Sequence, residues 1–159
     1  LMPHDMNISF CRDYTKITYD EAVALYNHVK NTTGNVLELG RLWGGSTRFI
    51  CHAAKDRKVV SVDIKKRQLK AFTDNDDFKN LTLITADARY FKLQESFETV
   101  FIDVNPNIVH KNILNVWNNV TTYFIFHDYI KIKPILDKFI NIKKLKILSL
   151  TDDLLITKK

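Results

Sequence analysis

Residues 35–50 read NVLELGRLWGGSTRFI, and the reading of this stretch decides the fold. Val36, Leu37 and Leu39 form a short apolar run that starts after the turn pair Thr33-Gly34 and stops at Gly40, the pattern of a buried strand. Beyond Gly44-Gly45, Ser46 or Thr47 can cap a helix whose apolar residues Phe49, Ile50, Ala53 and Ala54 share one face. The order is strand, glycine turn, helix. Such a turn needs glycine where φ is positive or where another group approaches the backbone, because a Cβ would collide there. Amides at the start of the helix then point at whatever anionic group binds.

Working outward, strand and helix alternate along the whole chain. Thr18-Tyr19-Asp20-Glu21 is a capping box that opens a helix to about Val29, with Ala22, Leu25, Tyr26 and Val29 facing inward. Strand 36–40 and helix 46–55 are followed by strand 58–63, a short helix near Arg67 to Phe72, and strand 81–85. FETVFID, ending at Asp103, is a fourth strand, and the next helix carries Val109, Ile113, Val116, Trp117 and Val120 on one face. TTYFIFHD, ending at Asp128, is a fifth strand, and Ile132, Ile135, Leu136, Phe139 and Ile140 then repeat at helical spacing. LKILSLTDDLLITKK reads as two strands joined by a turn at Asp152-Asp153. Alternation of this kind implies an α/β fold, a mostly parallel sheet with helices on both faces.

The chain has 159 residues, 45% hydrophobic and 26% charged, which bounds it as one domain over 1–159, an N-terminal helical segment (1–33) and a core (34–159). No apolar run approaches the ~20 residues that cross a bilayer, so no membrane partner is expected. Residues 1–10, LMPHDMNISF, lack the charged, apolar and cleavage segments of a secretory leader, and Cys11 and Cys51 have no metal spacing. Both cysteines are expected to be reduced packing residues in a cytoplasmic protein. The net charge of +6 is concentrated late in the chain, where Lys131, Lys133, Lys138, Lys143, Lys144, Lys146, Lys158 and Lys159 face only Asp137, Asp152 and Asp153. That field is either a solvated face or an attraction for nucleic acid or an acidic metabolite.

A dinucleotide fingerprint needs glycines at its first, third and sixth places, whereas Leu42 stands third after Gly40, so NAD fits poorly. Glu38, Gly40 and Gly44 instead resemble the acidic-apolar-glycine loop of class I S-adenosylmethionine-dependent methyltransferases, with Leu42 as a departure. The resemblance is closer to a subgroup written E-(I/L)-G-x-x-x-G-G-S-T, with which ELGRLWGGST agrees at every fixed position. It covers residues 34–159 and implies a seven-stranded Rossmann-like methyltransferase sheet whose last strand is antiparallel. It also implies S-adenosylmethionine as cofactor, bound by Glu38, Gly40, Gly44, Gly45 and Ser46 of the loop. Asp63, 23 residues beyond Gly40, can accept both ribose hydroxyls, and Ile64 can pack on adenine. The resemblance assigns Asp87, beside Ala88 in TADA, to the adenine amino group.

Asp103 ends the fourth strand, and His127 and Asp128 end the fifth. If these strands are neighbours, the three side chains meet at one point and form the candidate catalytic set. They are equally a candidate site for Mg²⁺ or another divalent cation. A substrate hydroxyl needs a metal or a base to lower its proton affinity, and His127 or His110 has the intrinsic pKa for a base. The set is similar to that of metal-dependent O-methyltransferases, and closer to small methyltransferases with FIDGDHxY after strand four and HD after strand five. Here FIDVNPN keeps Asp103 but has Val104, Asn105 and Pro106 in place of Gly, Asp and His. The expected activity is methyl transfer to oxygen on a small or medium-sized acceptor such as a sugar or phenol, in a monomer or homodimer. Two alternatives stand beside it: a nucleic-acid methyltransferase, for which Asp103 and Lys131 could serve in a lysine-based ribose site, and a non-catalytic binding protein on a degenerate methyltransferase fold.

Overall fold

The computed structural model describes residues 14–159. Its elements are α1 (Tyr19–Lys30), β1 (Val36–Leu39), α2 (Gly45–Ala54), β2 (Val59–Asp63), β3 (Leu81–Thr85) and β4 (Phe97–Ile102). They continue with α3 (Val109–Val116), β5 (Val120–Phe126), α4 (Tyr129–Lys143), β6 (Lys146–Thr151) and β7 (Leu154–Lys158). The seven strands form one sheet in the order β3-β2-β1-β4-β5-β7-β6. β1 to β5 run parallel, and β7 inserts antiparallel between β5 and β6.

Helices cover both faces, which is why β1 and β2 are buried along their whole length. On one face α1 and α2 bury Leu25, Val29, Phe49 and Ile50 against Val36, Val59, Phe101 and Ile125. On the other, α3 and α4 bury Ile113, Val116, Ile132 and Leu136 against Leu37, Val60, Val100 and Phe124. The expected capping box is present: the Thr18 hydroxyl accepts from Glu21 N at 3.2 Å and the Glu21 carboxylate accepts from Thr18 N at 2.8 Å. Cys51 is buried, and its burial raises the thiol pKa far above its ordinary range; Cys11 lies outside the described residues. No helix among the described residues is long and apolar enough to cross a membrane.

Two local expectations differ from the structure, besides the helix after β4, which stops at Val116 so that Trp117 lies in a 3₁₀ turn and Val120 opens β5. The helix expected near Arg67 to Phe72 is a loop. Its Leu69 and Phe72 side chains pack over Gly44, and Ala71 N donates to Trp43 O at 3.1 Å. Asp76 holds the far end of the loop, accepting from Arg48 Nε and Thr73 N at 2.7 Å each. These anchors satisfy the backbone without a helix and leave β3 a thinly covered edge strand on which Leu83 is 47% exposed. The second difference is the cap of α2. Gly44, at φ 89°, is the N-cap, while Ser46 and Thr47 turn their hydroxyls inward to a buried carboxylate.

The candidate active site

The sheet reverses its order at β1, between β2 and β4, and there the loops beyond the strand ends part into a cleft. Gly40 ends β1 at φ 89°, and a Cβ on it would stand 2.0 Å from the Asp103 carbonyl oxygen. Only glycine permits the ends of β1 and β4 to lie this close. Glu38 sits beneath this loop, fully buried, accepting hydroxyl hydrogen bonds from Ser46 at 2.6 Å, Thr47 at 2.6 Å and Ser61 at 2.5 Å. The register explains the last contact, because Glu38 and Ser61 are paired residues on neighbouring strands. Burial raises the Glu38 pKa, and the three hydroxyls with the Arg41 charge pull against that rise.

Asp63 ends β2 and holds the glycine loop by its backbone. Oδ2 accepts from Arg41 N at 2.9 Å and Leu42 N at 3.1 Å, and Oδ1 accepts from Lys65 N at 2.8 Å. Burial works to raise its pKa, but these three N–H groups and Arg41 outweigh burial and lower it. The first cavity of the cleft is walled by Gly40, Asp63, Ile64, Asp87, Ala88 and Asp103 among others. Ile64 is 57% exposed, an apolar side chain at the mouth of a polar site. Asp87 is clasped by its neighbour Arg89, with Nη2 at 2.6 Å from Oδ2.

A second cavity adjoins the first and shares Arg41, Leu42, Asp103, Val104 and Asn105 with it. Its other walls include Lys16, Ser46, Asp128 and Lys131. Of the loop residues singled out in the sequence, Gly40 borders the first cavity and Ser46 the second, whereas Glu38, Gly44 and Gly45 border neither. They shape the loop from behind.

β4 and β5 pair in register through Ile102 and Phe126, so Asp103 and His127 emerge side by side on the α1 face. His127 Nδ1 lies 3.1 Å from Asp103 Oδ1 and 3.9 Å from Asp128 Oδ1, and the ligand atoms of the three residues fall within 4.8 Å of one another. The ring is 5% exposed and borders neither cavity, and its Nε2 lies 3.2 Å from Glu21 Oε2 of α1. Burial works to lower the His127 pKa, but Asp103, Glu21 and Asp128 outweigh burial and raise it. Asp128, at φ 56°, makes no side-chain cap for α4; Asp153 of the β6–β7 turn takes that role, accepting from Ile130 N at 2.6 Å. The Asp128 carboxylate therefore faces the second cavity, 3.2 Å from Lys131 Nζ. His110, half-exposed on α3, borders neither cavity.

Sequence reasoning missed Arg41, Lys16 and the inward role of Glu21. Arg41 is 3% exposed and donates through Nη1 to Ser61 O at 2.7 Å, which seats the loop on β2. A charged residue inside an otherwise apolar glycine loop was the available signal. Lys16 and Glu21 had none, because only folding brings α1 and the chain before it to the strand ends. Of the late lysines, Lys143 and Lys159 lie 4.9 Å and 4.4 Å from the Trp117 ring, and Lys131 borders the second cavity.

Comparison with known proteins places this arrangement. The family described as FtsJ-like methyltransferase matches residues 16–144. No curated protein matches the sequence. Among solved structures, the O-methyltransferase TomG from Streptomyces achromogenes, in complex with SAM, is similar at a TM-score of 0.78 and 10% identity, over 99% of this chain and 91% of that one. An rRNA methylase from Streptococcus thermophilus is similar at 0.65 and 12%, over 91% and 99%. The N-methyltransferase NodS from Bradyrhizobium japonicum, in complex with S-adenosyl-L-homocysteine, is similar at 0.60 and 14%, over 87% and 84%. At these identities the likeness is one of fold.

Proposed function

We infer that this chain, which belongs to the FtsJ-like methyltransferase family, binds S-adenosylmethionine in the first cavity and transfers its methyl group to an acceptor oxygen in the second. The observation that carries the reading is the place of Asp103, on the wall common to both cavities. Asp63 Oδ1, with one backbone donor, has a lone pair left for a ribose hydroxyl. Ile64 and Ala88 flank adenine, and Asp87 accepts from its amino group. Glu38, Gly44, Gly45 and Ser46 act indirectly, by holding the loop in shape.

In the transfer, the acceptor oxygen attacks the methyl carbon as the carbon–sulfur bond breaks, and the hydroxyl proton passes to Asp103. Lys16 and Lys131 place positive charge beside the oxygen as it gains negative character. His127, sequestered from both cavities, supports Asp103 instead of meeting the acceptor. A divalent cation held by Asp103, His127 and Asp128 would supply Lewis acidity to the same hydroxyl. That donor set fits a cation only when Nδ1 is bare and Nε2–H is given to Glu21. The 3.1 Å separation of Nδ1 and Asp103 and the raised His127 pKa favour a proton in that place. A small hydroxylated acceptor suits the second cavity. The pair Lys16 and Lys131 beside Asp103 favours RNA ribose as the second reading.

Calorimetry with S-adenosylhomocysteine should give binding that Mg²⁺ does not alter, and NAD should give none. Asp103→Ala should leave that affinity within a few-fold and abolish transfer from labelled S-adenosylmethionine to any acceptor recovered from a panel of sugars, phenols and RNAs. Loss of activity on adding chelator would restore the cation. RNA binding that weakens steeply with salt, at a log-log slope of about −0.7 per phosphate contact on a single strand, would promote the second reading.

A further inference from the structure

We propose that Glu21 is a positioning residue of the candidate site, fixing the His127 ring from α1 and, through it, the orientation of the Asp103 carboxylate on the wall shared by the two cavities. The proposal rests on the reading of Asp103 given above. A capping-box glutamate needs only to reach back to the N-cap amide, and it does so at the surface of many helices. Glu21 is instead 1% exposed, a costly place for a carboxylate unless its oxygens are satisfied. They are satisfied by three separate parts of the fold. Oε1 accepts from Asp153 N at 2.8 Å, in the turn that also caps α4. Oε2 accepts from Thr18 N at 2.8 Å and faces His127 Nε2 at 3.2 Å.

Glu21 Oε2 stands 3.2 Å from one imidazole nitrogen and Asp103 Oδ1 3.1 Å from the other, so the ring lies between two carboxylates. Among the described residues, His127 is the hydrogen-bond partner of the Asp103 carboxylate. The rotamer of Asp103 therefore depends on His127, and that of His127 on Glu21. Capping alone would be served as well by glutamine. Glutamine would also keep His127 in one amide orientation, with its oxygen toward Thr18 N and His127 Nε2 and its NH₂ toward Asp153 N, so a side chain without an acceptor is needed to remove the contact.

E21A takes the acceptor away from His127, and T18V controls for loss of the cap. In E21A the His127 ring-nitrogen resonances should shift, and the Asp103 side-chain carboxyl carbon should shift and broaden as the group samples further rotamers. T18V, which removes the hydroxyl half of the cap and leaves Glu21 against His127, should lower the melting temperature without moving the Asp103 resonance. An E21A protein that folds and leaves the Asp103 resonance unchanged would overturn the proposal. Should E21A not fold, H127Q cuts the same chain one link later, and an unmoved Asp103 resonance there would overturn it equally. S-adenosylhomocysteine affinity should stay within about two-fold in E21A, since the residues assigned to adenosine lie on the β1, β2 and β3 loops. A wild type that fails to bind S-adenosylhomocysteine would remove the donor reading, while the resonances still decide whether Glu21 holds Asp103.

Discussion

Replacing Gly40 by alanine tests the geometry on which the cleft depends, and Gly44 supplies the control. Both residues have φ 89°, so an added Cβ meets the same backbone strain at each, about 1–2 kcal/mol for an L residue. What differs is the neighbour. At Gly44 the new carbon would meet Leu69 Cδ2 at 3.0 Å and Phe72 Cε1 at 3.2 Å, the ends of side chains in a loop that can give way. At Gly40 it would meet the Asp103 carbonyl oxygen at 2.0 Å and its carbon at 2.8 Å, and these are backbone. Relief requires the ends of β1 and β4 to part by about 1 Å, which stretches Asp103 N to Leu39 O between them and, as Gly40 shifts against β2, disturbs Gly40 N to Val62 O, each 2.9 Å. At about 1 kcal/mol for each bond, Gly40→Ala should cost about 3–4 kcal/mol against about 1–2 kcal/mol for Gly44→Ala. For a chain of this size the melting temperature should fall by about 8–15 °C and about 3–6 °C respectively. Thermal unfolding followed by circular dichroism measures both. Equal losses in the two variants would refute the close approach of β4 to the glycine loop.

Asp63→Ala should destabilise the fold by about 2–3 kcal/mol, because it strips the acceptor from the Arg41, Leu42 and Lys65 amides, as well as weakening S-adenosylhomocysteine; urea unfolding that matches the wild type would sink the loop-holding role. Stability should also fall on both sides of a plateau in pH. The raised His127 pKa contributes stability that is complete below its ordinary value of 6.5 and is lost as pH rises through the folded value. Asp63 and Asp76, where burial is outweighed by hydrogen bonds and the pKa is lowered, contribute above 3.8 and lose that contribution as pH falls through their folded values. Melting temperatures from about pH 3 to about pH 9 should show both limbs, and His127→Asn should flatten the alkaline one.

Much of this was legible before folding because it is local. The strand ending at Gly40, the capping box at Thr18 and the closing hairpin are written in residues a few places apart, where apolar period and turn chemistry act directly on the backbone. Asp63, Asp87 and Asp103 could be placed at strand ends because strands are bounded by the same signals. The loop at 64–80 was not legible, since Leu69 and Phe72 have helical spacing and only Gly44 and Arg48, distant in sequence, draw the segment into another shape. Ser46 and Thr47 likewise read as helix caps until the buried Glu38 beneath them claims their hydroxyls. The sequence by itself determined the alternation of elements, the glycine turn and which acids stand at strand ends, because each follows from neighbouring residues. Only the tertiary structure decided that β4 and β5 are paired, that Asp103 borders two cavities, and that His127 turns to Glu21. Those facts depend on strand order and on helix packing, which bring together residues from 24 positions apart, as Ile102 and Phe126, to as far apart as Glu21 and His127.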